Sequence, residues 1–206
     1  MAKLKAPLMS LGASGAIGKS LVFFPWKGID AVREYVVPSN PQTQPQNDQR
    51  EHLRAAVTLI HTAQSAAAPL WNANDPVAYA ELARLYKAAQ TWFNEAVRQF
   101  VNQRVATLRG CIYRATTTTP GVDQLFMSVQ ATRDPLASGP VTAGTFFYGT
   151  SPSALTSSQA ATVVAELCST TVLLLTTGIK YYWQFRSTLP NDLDGTRSGI
   201  HHGTPT

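Results

Sequence analysis

Residues 174–186 read LLTTGIKYYWQFR. Leu175 is followed six residues on by Tyr181, with Gly178 in the turn between them. Tyr181, Trp183 and Phe185 then alternate with Tyr182, Gln184 and Arg186. A period of two predicts a strand with one buried face, three rings on that face and polar groups on the other. A turn followed by a tyrosine at this spacing has the form of a tyrosine corner. In that device the hydroxyl bonds back to upstream backbone and helps to close a two-sheet sandwich. Sandwiches of this kind bind or display more often than they catalyse, so this stretch points to an interaction protein.

Around this strand, the sequence after Gly110 breaks into short β-like runs separated by Thr, Gly, Ser and Pro. The expected strands are 111–117, 125–132, 144–150, 162–167, 170–175 and 180–187, with a last short run near 199–202. That density of strands is sandwich spacing. Before Gly110 the period is helical. Thr43-Gln44-Pro45-Gln46 fits a capping box with Thr43 as N-cap and Gln46 at the third helical position. Pro45 is tolerated in the first turn, where N–H groups have no intrahelical partner. Leu53, Val57, Ile60 and Ala63 or Gln64 mark one face of this helix to about Ala68, and Pro69 stops it. Asp75-Pro76 predicts a second helix, with Asp as cap and Pro at the first helical position. Its stripe of Leu82, Leu85, Ala89, Trp92 or Phe93, Ala96 and Phe100 runs to about Leu108, or roughly 50 Å at 1.5 Å per residue. A helix of that length needs a partner, and the first helix is the obvious one.

Residues 21–37 (LVFFPWKGIDAVREYVV) read as two β runs around a Lys27-Gly28 turn. Pro25 lacks an N–H, so it predicts an edge or a bulge rather than a paired central position. The expected fold is α+β: an N-terminal β-hairpin and antiparallel helical pair in 1–109, then a β-sandwich in 110–206.

The chain has 206 residues, 44% of them hydrophobic, enough for a substantial core. Charged residues make up 14%, against about 25% in ordinary soluble domains. A surface so poor in charge suits a protein covered by neighbours. The formal net charge is +5, but no Lys/Arg run is longer than a solvated face needs, which argues against nucleic acid as partner. Cys111 and Cys168 are the two cysteines, too few for a disulfide framework, and buried reduced thiols are expected. No apolar stretch reaches the ~18 residues of a membrane span. The N-terminus lacks the apolar centre of a secretion signal, so synthesis and folding in the cytosol are expected.

Residues 13–20 (ASGAIGKS) fit a permissive P-loop pattern, and 12–18 (GASGAIG) resemble the glycine fingerprint of extended short-chain dehydrogenases, with Asp30 near ribose-contact distance. Either motif needs a buried strand before it and a helix after it. Here LVFFPW follows, which is β-like, so a nucleotide or NAD(P) cofactor is the alternative reading and none is expected. His52, His61, His201 and His202 are not at metal-ligand spacing, and the last two lie in a polar tail, so no metal site is expected. The 12 Asp and Glu residues are scattered and define no acid/base pair.

Two resemblances cover most of the chain. The order Gly15, Gly18, a strand, Trp26-Lys27-Gly28, Val32-Arg33, Pro38, Asn40-Pro41-x-Thr43, Gln46 and Arg50 resembles a group of tailed-phage virion proteins. In them a Trp-Lys-Gly turn leads to a Val-Arg strand and an Asn-Pro-x-Thr-x-x-Gln helix entry. Trp92-Phe93-Asn94 and Asn102 extend the similarity. Residues 170–187 are similar to the E strand, tyrosine corner and F strand of fibronectin type III and phage Ig-like domains. Thr177 stands where proline is usual and Ile179 where threonine is common.

The resemblances imply a non-enzymatic virion structural protein, made in the host cytoplasm and oligomeric within the particle, with phage capsid or tail proteins as partners and no membrane. A minor capsid or decoration role is expected, with head–tail and tail components as neighbours of that reading. The interaction residues carried over are Trp26, Lys27, Gly28, Arg33, Asn40, Pro41, Thr43, Gln46 and Arg50. Trp and Arg are residue types enriched at interface hot spots.

Overall fold

A computed structural model describes residues 2–3, 14–37, 39–40, 42–85, 91–188 and 192–206. The chain forms two compact units, Met1–Thr43 and Gln44–Thr206. The described residues are mixed α+β, with three helices and three four-stranded antiparallel sheets. The expected boundary at 109/110 marks a change from helix to strand, whereas the units divide between Thr43 and Gln44.

The first unit is a sheet of β1 (Ala2–Lys3), β2 (Gly15–Ile17), β3 (Leu21–Trp26) and β4 (Ile29–Glu34), in the order β1-β4-β3-β2. The expected hairpin is therefore the centre of a wider sheet. Trp26 pairs with Ile29 across a loop of Lys27 (φ 49°) and Gly28 (φ 77°). Positive φ at both loop residues is the form that matches strand twist. Strand β3 is central in the sheet order, but among the described residues Pro25 is paired on the β4 side alone, the locally edge position expected of it. The two-residue loop makes Trp26–Ile29 the hydrogen-bonded pair, so Pro25 opposite Asp30 turns its ring nitrogen away from β4. On the other side β2 pairs only as far as Phe23, so no N–H is missed there.

In the second unit, α1 (Gln44–Ser65) begins just after Thr43, as its capping sequence predicts. Its buried face is Ala56, Leu59, Ile60 and Ala63, while Leu53 is exposed, so the face is rotated from the expected one. The expected single second helix is two, α2 (Asn74–Arg84) and α3 (Trp92–Val105). Thr91 is extended (φ −78°, ψ 159°) and its hydroxyl accepts from Asn94 N–H at 3.2 Å, which starts α3 afresh. Ala89 lies outside the described residues.

Strands β5 (Cys111–Gly121), β6 (Gln124–Arg133), β7 (Gly144–Gly149), β8 (Ser157–Ala160), β9 (Thr162–Val164), β10 (Leu167–Val172), β11 (Tyr181–Ser187) and β12 (His201–Gly203) complete the unit. They form two sheets, ordered β5-β6-β10-β9 and β12-β11-β7-β8. Strand β8, all of it exposed, has no apolar alternation to announce it. The expected runs 162–167 and 170–175 are one tight hairpin instead, turning at Ala165 (φ 50°) and Glu166 (φ 64°). The sheets share a core in which Tyr113, Leu125, Met127, Val129 and Cys168 meet Phe146, Trp183 and Phe185. Trp183 Nε1 donates across it to Thr118 Oγ1 at 3.1 Å.

Strand β5 serves two cores by alternation. Cys111 and Tyr113 face the core between the sheets, and Ile112 joins Leu59, Ile60, Tyr79, Ala96 and Phe100 from the helices. This shared strand is the reason the helices and sheets form one unit. Strand β5 also ends its sheet, and an unpaired strand edge invites unwanted pairing. Helix α2 occupies that edge. Tyr79 Oη accepts from Tyr113 N–H at 3.0 Å and donates to Tyr113 O at 3.4 Å.

Asp75, expected as the N-cap, instead lies in the first turn of α2 and is fully buried. Its carboxylate accepts from Asn72 N–H (2.9 Å), Ala115 N–H (2.9 Å) and Thr116 N–H (3.1 Å). Ala115 (φ 53°) sits in a bulge of β5, where the register with β6 shifts. Asp75 thus satisfies the donors that the bulge frees. On the other sheet, Ile200 N–H donates to Ala78 O at 2.9 Å. A Cβ on Gly199 would overlap the backbone of Ala78 and Tyr79, so only glycine allows this approach.

Candidate interaction surface

The register of the first unit puts Val22, Phe24, Trp26, Ile29, Ala31 and Arg33 on one face of the sheet. Leu21, Phe23, Pro25, Asp30, Val32 and Glu34 share the other. Both faces are therefore largely apolar. Phe23 and Ala31 are buried, whereas Leu21, Trp26 and Ile29 are exposed, Trp26 at 55%. Arg33 is exposed, and its guanidinium lies 5.4 Å from the Phe24 ring centroid, a cation–π distance. Beyond β4, Val36 and Val37 are exposed at 69% and 71%.

The structure brings together Trp26, Lys27, Gly28 and Arg33 of the expected interaction residues, all on the β3–β4 hairpin. Asn40 and Thr43 are exposed in the coil that follows, and Pro41 lies outside the described residues. Gln46 and Arg50, one helical turn apart and exposed on α1, belong to the second unit. The nine residues are thus divided between the two units.

Residues 15–26 run strand, turn, strand: β2, a turn at Gly18 (φ 56°), then β3. A phosphate-binding glycine loop opens a helix, whose N-terminal N–H groups hold the anion. These glycines open a strand. Gly12 lies outside the described residues.

The other candidate chemical groups are tied into structure. His201, expected in a solvated tail, is buried in β12 and stacked on Trp183 with ring centroids 4.5 Å apart. Burial, and to a smaller degree His202, pushes its pKa down to about 3, so it is neutral at pH 7. The His202 pKa is also lowered, by burial first and then by Lys180. Both thiols are free and buried. Burial pushes Cys168 up to about 12 and Cys111 above its ordinary value, so neither is a thiolate nucleophile at neutral pH. Among the described residues no His/Cys/Asp/Glu group could hold a metal ion, and no helix is long and apolar enough to cross a membrane.

The tyrosine corner has the expected geometry: Tyr181 Oη accepts from Thr176 N–H at 3.2 Å, and Gly178 has φ 77°. The outer face of β11 departs from expectation. Gln184 is buried, and its Nε2 donates to Ser198 O at 2.9 Å. Sequence reasoning also missed the buried ion pair Arg104–Asp134 (2.7 Å) and the role of Asp75. These pairs span tens of residues and leave no local signal.

Comparison with known protein families and with curated proteins gives no match.

Proposed function

We propose that this chain is a non-enzymatic structural protein of a tailed-phage virion. It is a minor capsid or decoration protein that attaches through its N-terminal region and displays an Ig-like domain. The observation that carries this reading is the first unit's sheet, apolar on both faces with exposed Leu21, Trp26 and Ile29. A two-faced apolar sheet gains order by being covered, and exposed apolar patches of this kind mark protein interfaces. The low charge content and the motif from Trp26 to Arg50 point the same way.

Two features of the second unit support the Ig-like part. Its strand order, β5-β6-β10-β9 against β12-β11-β7-β8, has the pattern A-B-E-D against G-F-C-C′ of that architecture. Its tyrosine corner lies at the start of β11, the equivalent of strand F.

Mass spectrometry of purified particles is the direct test, and the protein is expected among the virion components. A variant lacking residues 1–37 retains the second unit and is expected to fold yet fail to join particles. Normal loading of that variant would place attachment in the second unit and reverse the assignment of the two ends.

A further inference from the structure

The two sheets of the second unit end in β5 and β9, and in β12 and β8. Helix α2 occupies the edge of β5 through Tyr79 and Asp75. Strand β8 is open by contrast, with Ser157, Ser158, Gln159 and Ala160 all exposed. A natural edge strand is usually blunted by a charge, a proline or a bulge. Strand β8 has none of these. Its pairing with β7 runs from Tyr148–Ser157 to Thr145–Ala160 without a shift. Residues 135–165, which include all of β7, β8 and β9, contain no Asp, Glu, Lys or Arg.

The backbone bonds fix which groups point outward. Ala161 N–H donates to Gly144 O at 2.9 Å, the residue directly opposite it. Residues in phase with Ala161, namely Gln159 and Ser157, therefore turn their N–H and C=O towards β7, and Ser158 and Ala160 turn theirs away. Ala160 O accepts from Thr170 Oγ1 at 3.1 Å. Ser158 is left as the residue of β8 whose outward N–H and C=O are both open among the described residues.

This edge is its own complement. When two copies of one strand pair antiparallel and one residue exchanges both bonds with its own equivalent, that residue lies on a two-fold axis. Ser158 meets that requirement. On either side of the axis Ser157 then stands opposite Gln159 of the second copy, a hydroxyl beside an amide. No pair in this register sets like charges or two large side chains against each other.

We propose that β8 is a contact between two copies of this chain, paired antiparallel about Ser158, which joins two four-stranded sheets into one continuous sheet. The inference concerns the second unit alone and stands whether or not the chain is a virion protein. Strands this short bury less than the roughly 1,600 Å² of a standard interface, so the dissociation constant is on the order of 100 µM.

Sedimentation of the full chain over a concentration series bracketing that value should show monomer passing into dimer. Ser158→Pro deletes the outward N–H and spares the bonds to β7, and should weaken dimerisation about tenfold. Ser158→Lys sets two like charges opposite each other and should weaken it by about as much. Ser158→Cys should cross-link under mild oxidation about tenfold faster than Ser65→Cys, an exposed site on α1, because strand pairing holds the two sulfurs within disulfide reach. Cys111 and Cys168 are buried and do not compete. The proposal is overturned if the chain stays monomeric throughout the series, if either Ser158→Pro or Ser158→Lys leaves its association unchanged, or if the two cysteine variants cross-link equally. Association through the sheet of the first unit would survive both replacements, and so would count against this contact. The cross-linking rates decide the matter even if the proline variant fails to fold.

Discussion

In Met1–Thr43 the rings and aliphatic groups of β3 and β4 lie on two faces of one sheet, and Trp26 is 55% exposed. In Gln44–Thr206, β5 also carries apolar side chains on both faces, yet Ile112, Cys111 and Tyr113 are all buried. The difference is the second layer. Strand β5 lies between a facing sheet and a set of helices, whereas the described residues of the first unit form a single sheet. A strand apolar on both sides is thus a statement about what must cover it. In the second unit the cover is the chain itself; in the first, the chain already buries Phe23 and Ala31, and under the virion reading a neighbour covers the exposed Leu21, Trp26 and Ile29.

The largest expected effect is in the covered unit. Trp183→Ala deletes a fully buried ring between the sheets and should cost about 3–5 kcal/mol in chemical denaturation. A loss below about 1 kcal/mol would break the contrast with Trp26.

Asp75→Ala should come next, at about 3 kcal/mol. It leaves the N–H groups of Asn72, Ala115 and Thr116 without their acceptor. Denaturation should read the loss, and amide exchange at Ala115 and Thr116 should accelerate.

The His201 effect depends on pH. The folded state holds the ring neutral, with pKa about 3 against an ordinary 6.5. The unfolded chain takes up a proton that the folded chain refuses, so the contribution is intact above pH 6.5 and is lost on acidification towards pH 3. The slope should approach about 1.4 kcal/mol per pH unit within that window. His201→Phe keeps a ring over Trp183 and should flatten the slope; an unchanged slope would assign the acid sensitivity to other groups.

Tyr181→Phe removes one hydrogen bond, to Thr176 N–H, and should cost about 0.5–1.5 kcal/mol. An effect as large as that of Trp183→Ala would mean the corner does more than close a turn.

Trp26→Ala should be the smallest, within about 0.5 kcal/mol for the free protein. Incorporation into particles should nevertheless fall. A large loss of stability in the free protein would mean that the chain, not a partner, covers this ring.

The strand at Tyr181–Ser187 was legible because a period of two and a turn tyrosine are local properties. So were the Lys27-Gly28 turn and the start of α1 at Gln44, where Thr43 and Pro45 are punctuation. The break between α2 and α3 was hidden because the apolar stripe continues in phase from Leu82 to Ala96 and Phe100. Gln184 and His201 read as solvated because alternation marks a face without naming its cover. Ser198 and Trp183 supply that cover only after the chain folds back.

The approach of Gly199 and Ile200 to Ala78 has a consequence for synthesis. These contacts join positions separated by about 120 residues, or on the order of 10 s of translation at 5–20 residues per second. Helix α2 therefore emerges long before the strand that completes its packing. Contacts of such sequence separation slow folding, because the loop must close before they form. The apolar surface of α2 has to be kept from other chains during that interval, and released chains that end before Gly199 should be more protease-sensitive around Ala78 than the released full chain.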